Sequence, residues 1–450
     1  MHYHLVGIKG VAMTALAGIL TDAGHQVTGS DVAENFVTAK VLASLPIAPQ
    51  IGFAKSNLPA ATQAVVFSGA HGGSSNPQVV AAKKLGLPVF SHMQFLATLF
   101  NHKQGLAVCG VGGKSTISAM LAFVLEQIDP QSYSVGVGEI LGLPATGKYR
   151  QNQPLFIVEA DEYVADPSVK SQPIIPRMSF LQPETIICAN LKFDHPDVYE
   201  NFAHTKSVYA DFFLSLKGNG KLIYSLDDAN LAKLCQQVKQ KRPDITLISF
   251  SRCHPGSNYT LADLKIDLQV PGEFNRLNAL AALAALESYG YKRSKILPAL
   301  AKYRSVKRRL ELIKSKNGIV YWDDYAHHPS EISAAIAAIV SKYPGQKLTV
   351  AFQPHTYSRT KSLLTEFAHS LAGNWQTLLV DIFPSAREGA DSSINAEMLV
   401  AQINQLHAGP PAINVHNNQQ LATYLRANLR ANEVFLSLGA GDIYLVHQQL

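Results

Sequence analysis

Short apolar runs alternate along the chain with stretches whose apolar residues recur three and four positions apart. The first pattern predicts strands and the second helices packed on them. Residues 2–8 read as a strand and 11–23 as a helix with Met13, Leu16, Ala17 and Leu20 on one face. Residues 26–31 read as a second strand, ending Gly29-Ser30-Asp31. Further strands are predicted at 64–68 and 88–91, flanking a helix that opens near Asn76-Pro77. Strands then recur at 106–109, 155–160, 185–190, 221–225 and 245–250, with helices near 116–127 and 203–216. After an apolar–polar alternation at 259–270 comes a helix from Asn275 to Tyr289. The polar, basic stretch Arg304–Arg309 precedes a fresh alternation with strands at 319–324, 347–352, 377–382 and 433–438. Strand–helix alternation throughout predicts an α/β protein built on mostly parallel sheets. At about 150 residues per domain, the breaks near 101–104 and 303–307 divide it into three: 1–102, 103–305 and 306–450.

Composition narrows the function. Apolar residues make up 47% and charged residues 16%, enough to bury several cores, and the net charge is +6 without a long Lys/Arg run. A mild, dispersed excess suits anionic small molecules better than nucleic acid. The four cysteines show no C-x-x-C spacing, and Cys109 and Cys188 fall inside apolar strands, so buried free thiols are expected. The first residues lack a basic region followed by a long apolar run, and no 18-residue apolar segment occurs. The expectation is a cytoplasmic protein, a monomer or weak homodimer, with neither nucleic acid nor membrane as partner.

Ligands of open α/β sheets sit at the carboxyl ends of the strands, so the residues after each strand carry the chemistry. Leu106–Cys109 runs into Gly110-Val111-Gly112-Gly113-Lys114-Ser115-Thr116 and then a helix. Glycines let backbone N–H groups close on phosphate oxygens at a helix N-terminus. Lys114 would neutralise the β/γ-phosphates and Ser115 would ligate Mg²⁺. The match to G-x-x-x-x-G-K-[ST] is incomplete, because Val108 stands at the first glycine. Leu155–Val158 ends in Glu159-Ala160-Asp161-Glu162-Tyr163, acids suited to a hard cation. Ile186-Ile187-Cys188-Ala189-Asn190 leads to Asp194-His195-Pro196-Asp197. Later strands end in Asp323-Asp324-Tyr325-Ala326-His327-His328 and in Gln353-Pro354-His355-Thr356-Tyr357-Ser358-Arg359. Adjacent His327 and His328 have no further ligand at zinc spacing. At the start, Gly7-Ile8-Lys9-Gly10-Val11-Ala12 has Lys9 and Ala12 where a dinucleotide fingerprint wants glycines, which argues against a nicotinamide enzyme. Asp31 suits a ribose or base contact.

In this order the motifs resemble the Mur ligases, ATP-dependent amide-forming enzymes of peptidoglycan precursor synthesis. The phosphate loop, Glu159–Glu162, Asn190 through Asp197, Gly272–Ala279 and Asp323–Ile332 each match a family segment. Gly7-Ile8-x-Gly10-x-x-Met13-Thr14, Phe352–Thr360 and Leu438–Ile443 resemble the branch that adds L-alanine. Val111 and Gly112 depart from the family's Thr and His/Asn, and Lys9 and Ala12 from glycines of the UDP-binding turn. Tyr163–Pro167 with its Pro-rich continuation, Pro196 and Thr356 also depart. The resemblance implies a Rossmann-like N-terminal domain that binds the UDP-sugar, a P-loop ATPase-like central domain and a Rossmann-like C-terminal domain. It implies ATP and Mg²⁺ as cofactors, with UDP-N-acetylmuramate and L-alanine as substrates joined through an acyl phosphate. It further implies these roles: Gly110, Gly112, Gly113, Lys114, Ser115, Thr116, Asn278, Arg309 and Asp324 hold ATP, and Ser115, Glu159 and His195 the metal. Gly7, Lys9, Gly10, Asp31, Ser68, His71 and His328 would face the substrates, with His355 and Arg359 on the alanine side. A tripeptide or another amino acid as the amine, and a non-catalytic nucleotide-sugar-binding protein, stay open as alternatives.

Overall fold

The computed structural model describes residues 1–34, 36–169, 174–195, 198–384 and 391–450. Two compact units form, residues 1–269 with 275–307, and residues 270–274 with 308–450. Pro196 and Asp197 of the Asp-His motif lie outside the described residues.

The first unit carries two sheets. Strands β1 (His2–Val6), β2 (Gln26–Asp31), β3 (Gln50–Ile51), β4 (Ala64–Phe67) and β5 (Val89–Ser91) pair in the order β3-β2-β1-β4-β5. Strands β6 (Gln104–Cys109), β7 (Ser132–Ser134), β8 (Gly147–Lys148), β9 (Leu155–Glu159), β10 (Thr185–Cys188), β11 (Lys221–Ser225), β12 (Thr246–Ser251) and β13 (Tyr259–Thr260) form the second, ordered β13-β12-β11-β10-β6-β9-β7-β8. The second unit holds β14 (Glu311–Lys316), β15 (Ile319–Asp324), β16 (Lys347–Phe352), β17 (Gln376–Leu379), β18 (Ile413–Asn414) and β19 (Glu433–Leu438), ordered β14-β15-β19-β16-β17-β18. Described pairs are parallel except β7 with β8 and β14 with β15.

Apolar strands buried on both faces explain this arrangement. Leu106, Ala107, Val108 and Cys109 of β6 are wholly buried, as are Ile186 and Ile187 of β10. Leu5, Leu16 and Phe100 of the first layer share one core with Phe156, Ile186 and Phe213 of the second. That continuous core is why two sheets make one compact unit. The cysteines are free, with Cys109, Cys188 and Cys235 buried and Cys253 exposed.

The pattern did not reveal the antiparallel edge strands. Glu311–Lys316 is largely polar and half exposed, as an edge strand with one solvated face allows. The alternation at 259–270 yields only β13, because Asp263 accepts the Thr260 N–H at 2.9 Å and closes a 3₁₀ turn.

The first layer meets the second where helix Val11–Asp22 packs on β8. A Cβ on Gly18 would sit 2.9 Å from the Gly147 carbonyl oxygen, and one on Gly147 would overlap the Ala15 backbone. Overpacking at such a joint costs about 1–3 kcal/mol. Gly147→Ala is therefore expected to lower the unfolding free energy by that amount and the denaturation midpoint with it. Gly218→Ala, where nothing lies within 4 Å of the added carbon, should leave the midpoint in place, as thermal or urea unfolding will show.

Candidate active site

Strand β6 runs between β9 and β10, with Val108 beside Glu159 and Cys109 beside Cys188. The order of connections reverses at this strand, so three strand ends open onto one crevice. Gly110 (φ +121°) and Gly113 (φ +89°) bend the loop into the helix Lys114–Ile128 through conformations that residues with a Cβ rarely adopt. A Cβ on Gly113 would also come 2.7 Å from Asn278 Oδ1, so Asn278 lies directly against the loop. Asn190 grips the loop from the other side. Its Oδ1 accepts the Gly112 N–H at 3.0 Å, and its Nδ2 donates to the Gly112 carbonyl at 2.9 Å. Gly112 is thus held through both its backbone groups. Thr116 is buried on the first helical turn.

The acids close around this loop. The Lys114 ammonium donates to both oxygens of Glu162, at 2.9 and 2.7 Å, and Glu162 is 2% exposed. Burial acts to lower the Lys114 pKa, but Glu162, Asp161 and Glu159 outweigh it and hold the pKa above its ordinary value. Ser115 Oγ donates to Glu159 Oε1 at 2.7 Å, and the Gly136 N–H to Glu159 Oε2 at 2.9 Å. Burial raises the Glu159 carboxyl above its usual range. His195, at φ +56°, places Nε2 3.7 Å from Glu162 and 3.8 Å from Asp194. Burial would depress its pKa, but Glu162 and Asp194 raise it. The Tyr199 hydroxyl donates to the Glu162 carbonyl.

The metal set read from the sequence therefore divides. Ser115 and Glu159 pair with each other. His195 instead shares a cluster with Glu162 and Asp194, whose ligand atoms all lie within 4.8 Å of one another. Glu162 and Asn190 occur in the quoted motifs, but their spacing assigned them no role. Only the fold turns Glu162 toward Lys114 and Asn190 toward Gly112.

A second group forms on the first sheet. Gly7 (φ +85°) turns the chain after β1, and a Cβ there would come 3.0 Å from Ser68 Cβ, so the loops after β1 and β4 touch. The Gly10 N–H donates to the Gly7 carbonyl at 3.1 Å. Buried Asp31 accepts the Lys9 N–H at 2.7 Å and lies 3.3 Å from His71 Nε2. Burial would raise the Asp31 carboxyl, while His71 and the Lys9 and Val32 N–H groups hold it below its usual range. The Lys9 ammonium is spent on the Val32, Ala33 and Glu34 carbonyls, at 2.6, 3.3 and 2.9 Å.

In the second unit the ends of β15, β19 and β16 lie side by side. Asp324 is buried, and its two oxygens accept the Ala326 and Leu310 N–H groups at 2.6 Å each. Burial raises its pKa to about 6. Burial lowers the His327 pKa; Glu331 at 3.6 Å opposes this, and Arg359 adds to it. The His355 ring is 6.5 Å from that of His327 and stacks on Phe383 at 5.9 Å. Arg309 approaches Glu331 at 4.0 Å and lies over the Tyr325 ring at 5.4 Å. His328 caps the helix Pro329–Lys342 by accepting the Ser330 N–H at 3.4 Å.

The Lys114–Glu162 pair has a measurable consequence. Removing one member of a buried pair strands the other charge, at a cost of about 3 kcal/mol or more. Lys114→Met alone should lower the nucleotide-free unfolding midpoint accordingly, and the double variant Lys114→Met/Glu162→Gln should recover most of the loss. A double-mutant cycle with additive effects would show that the pair is not coupled.

Residues 2–104 match the Mur ligase family catalytic domain, 108–286 the Mur ligase middle domain and 308–441 the Mur ligase glutamate ligase domain. The UDP-N-acetylmuramate–L-alanine ligase of Desulfitobacterium hafniense is 33% identical over 466 residues, covering 100% of this chain and 99% of the relative. That of Carboxydothermus hydrogenoformans is 32% identical over 468 residues, covering 99% and 95%. Among solved structures, the UDP-N-acetylmuramate–alanine ligase of Thermotoga maritima has a TM-score of 0.78 at 23% identity, over 100% of this chain and 98% of that one. A murein peptide ligase from Psychrobacter arcticus has a TM-score of 0.68 at 21% identity, over 100% and 98%. Both share the fold, with N-terminal, middle and C-terminal domains in the same order, and among the described residues no helix is long and apolar enough to cross a membrane. With likeness to its relatives over its whole length, and a phosphate loop flanked by acidic strand ends, the chain belongs to the Mur ligase family.

Proposed function

We propose that this chain is an ATP-dependent ligase that joins L-alanine to UDP-N-acetylmuramate in the cytoplasm. The observation that carries the reading is the set Lys114, Ser115, Glu159, Glu162 and His195, held at three adjacent strand ends. The reading agrees with the names of the curated relatives, which span the full chain. In this scheme residues 1–102 bind the UDP-sugar, 103–305 bind ATP and 306–450 serve the amino acid.

A carboxylate and an ammonium group do not condense at neutral pH without activation. The lactyl carboxylate attacks the γ-phosphorus of ATP, the bond to the ADP oxygen breaks, and an acyl phosphate forms. The amine of L-alanine, having shed a proton, attacks the acyl carbon; the carbon–oxygen bond to phosphate breaks and inorganic phosphate leaves. Such transfer asks the protein mainly for positioning and charge neutralisation. Lys114 reaches the transferring phosphoryl group by exchanging Glu162 for a phosphate oxygen. The loop N–H groups of Gly112 and Gly113 and the helix N-terminus hold the remaining phosphates. Carboxylates with one imidazole suit Mg²⁺, so Glu162, Asp194 and His195 would hold it, and the Ser115–Glu159 pair is assigned as a further source of ligands. The ion's contribution is to neutralise charge on the phosphates. Asn278, Arg309 and Asp324 are assigned to the nucleotide. Arg359 is assigned to the alanine carboxylate with His355 nearby, a pairing suited to a bidentate guanidinium.

The test is phosphate release with Mg-ATP and UDP-N-acetylmuramate across single amino acids and the murein tripeptide. Release that requires L-alanine, and falls about 10²–10³-fold in Lys114→Ala, is the expected result. Stimulation by the tripeptide alone would reassign the amine, and silence with every amine in protein that binds ATP would remove the ligase reading.

A further inference from the structure

After Glu162 the chain leaves the sheet as a hairpin arm that the family resemblance does not account for. Its two sides are joined by Met178 N–H to the Asp161 carbonyl at 3.0 Å, Arg177 N–H to Tyr163 at 2.9 Å and Ala165 N–H to Ile175 at 2.9 Å. The outer part of the arm rests on the first layer. The Ser74 N–H donates to Asp166 at 3.2 Å, and a Cβ on Gly69 would come 2.9 Å from Pro167 Cδ. At the inner end stands Arg177. Its Nη1 pairs with Asp161 Oδ2 at 2.6 Å, and its guanidinium lies over the Tyr163 ring at 5.5 Å. The Tyr163 ring is in turn 4.8 Å from that of His195. On the other side, Nη2 is 3.3 Å from where a Gly69 Cβ would stand, in the loop that carries Ser68 and His71.

Arg177 therefore sits between the loop after β4 of the first sheet and the acidic turn after β9 of the second, and its side chain is 29% exposed. Among the described residues, Asp161 is the only hydrogen-bond partner of its side chain, which leaves the Nε and Nη2 donors open. Lys9, the cation expected at the UDP-sugar turn, is already committed to three backbone carbonyls. A pinned guanidinium with an open edge is the arrangement that recognises paired anionic oxygens. We infer that Arg177 binds an anionic group of the nucleotide-sugar acceptor, a pyrophosphate oxygen or the lactyl carboxylate, where it passes from the first layer to the phosphate loop. The inference rests on the function proposed above.

The test is calorimetric binding of UDP-N-acetylmuramate and of UDP-N-acetylglucosamine, which lacks the lactyl group, to wild type, Arg177→Lys and Arg177→Gln. Arg177→Gln is expected to weaken UDP-N-acetylmuramate about 10–100-fold, and Arg177→Lys to recover only part. ATP affinity should stay unchanged, the unfolding midpoint should fall only slightly with loss of the part-exposed Asp161 pair, and in turnover KM for the acceptor should rise with KM for L-alanine constant. A lactyl contact weakens UDP-N-acetylmuramate alone, whereas a pyrophosphate contact weakens both ligands; either result supports the inference. Arg177→Gln that binds the acceptor within twofold of wild type, or a loss confined to kcat, overturns it. Should Arg177→Gln fail to fold, Arg177→Lys at wild-type affinity overturns it equally. Wild-type protein that binds no UDP-N-acetylmuramate overturns both this inference and the proposed function.

Discussion

A lysine ammonium enclosed among three strand ends must have a carboxylate beside it, and the Lys114–Glu162 contact meets that requirement. Desolvation of an isolated charge would be costly. The pair holds because β9 delivers its acidic turn at the level where β6 delivers its loop. Around it, Ser115 and Glu159 form a second pair, and Asn190 fastens Gly112. The phosphate loop is thus supported from both neighbouring strands. In this arrangement the lysine keeps its charge, and in the proposed reaction an incoming phosphate takes the place of one carboxylate.

The same economy of space ties the first two layers together. Glycines 18 and 147 let the helix Val11–Asp22 lie against β8 at a separation that side chains would prevent. The described parts of the arm, residues 161–169 and 174–178, add a second bridge, from the acidic turn to the loop after β4. With one apolar core beneath both sheets, the turn after β1 and the phosphate loop belong to a single body, which suits a ligand with anionic groups at both ends.

In the second unit, neighbouring arginines have opposite fates. Arg308 is buried, at φ +63°, with Asp323 at 3.1 Å, the Gly439 and Gly441 carbonyls as further acceptors and the Tyr444 ring 4.3 Å away. It fastens the end of β15 to the glycine turn after β19. Arg309 is 37% exposed and faces Glu331. Asp323 and Asp324 divide in the same way, the first serving Arg308 and Ser437, the second accepting N–H groups from Leu310 and Ala326.

How much of this was legible beforehand depends on the range of the forces involved. Strands such as Leu106–Cys109 and Leu155–Glu159, and the glycines with Lys114, are written locally. Burial on both faces demands continuous apolar runs, and a phosphate loop demands backbone freedom at fixed offsets. So the α/β class, most of the longer strands and the loop followed from the sequence alone, whereas short strands such as Ser132–Ser134 did not. The edge strand Glu311–Lys316 escaped because half its surface meets water and its pattern resembles a loop, and Gly147–Lys148 because two residues carry no pattern. Which acid pairs with Lys114, which of two adjacent arginines is buried, and that Arg177 stands between two sheets were decided by tertiary structure. Those contacts join residues from 15 to 48 and more positions apart, and their strength comes from desolvation, which exists only once the sheets have closed around them.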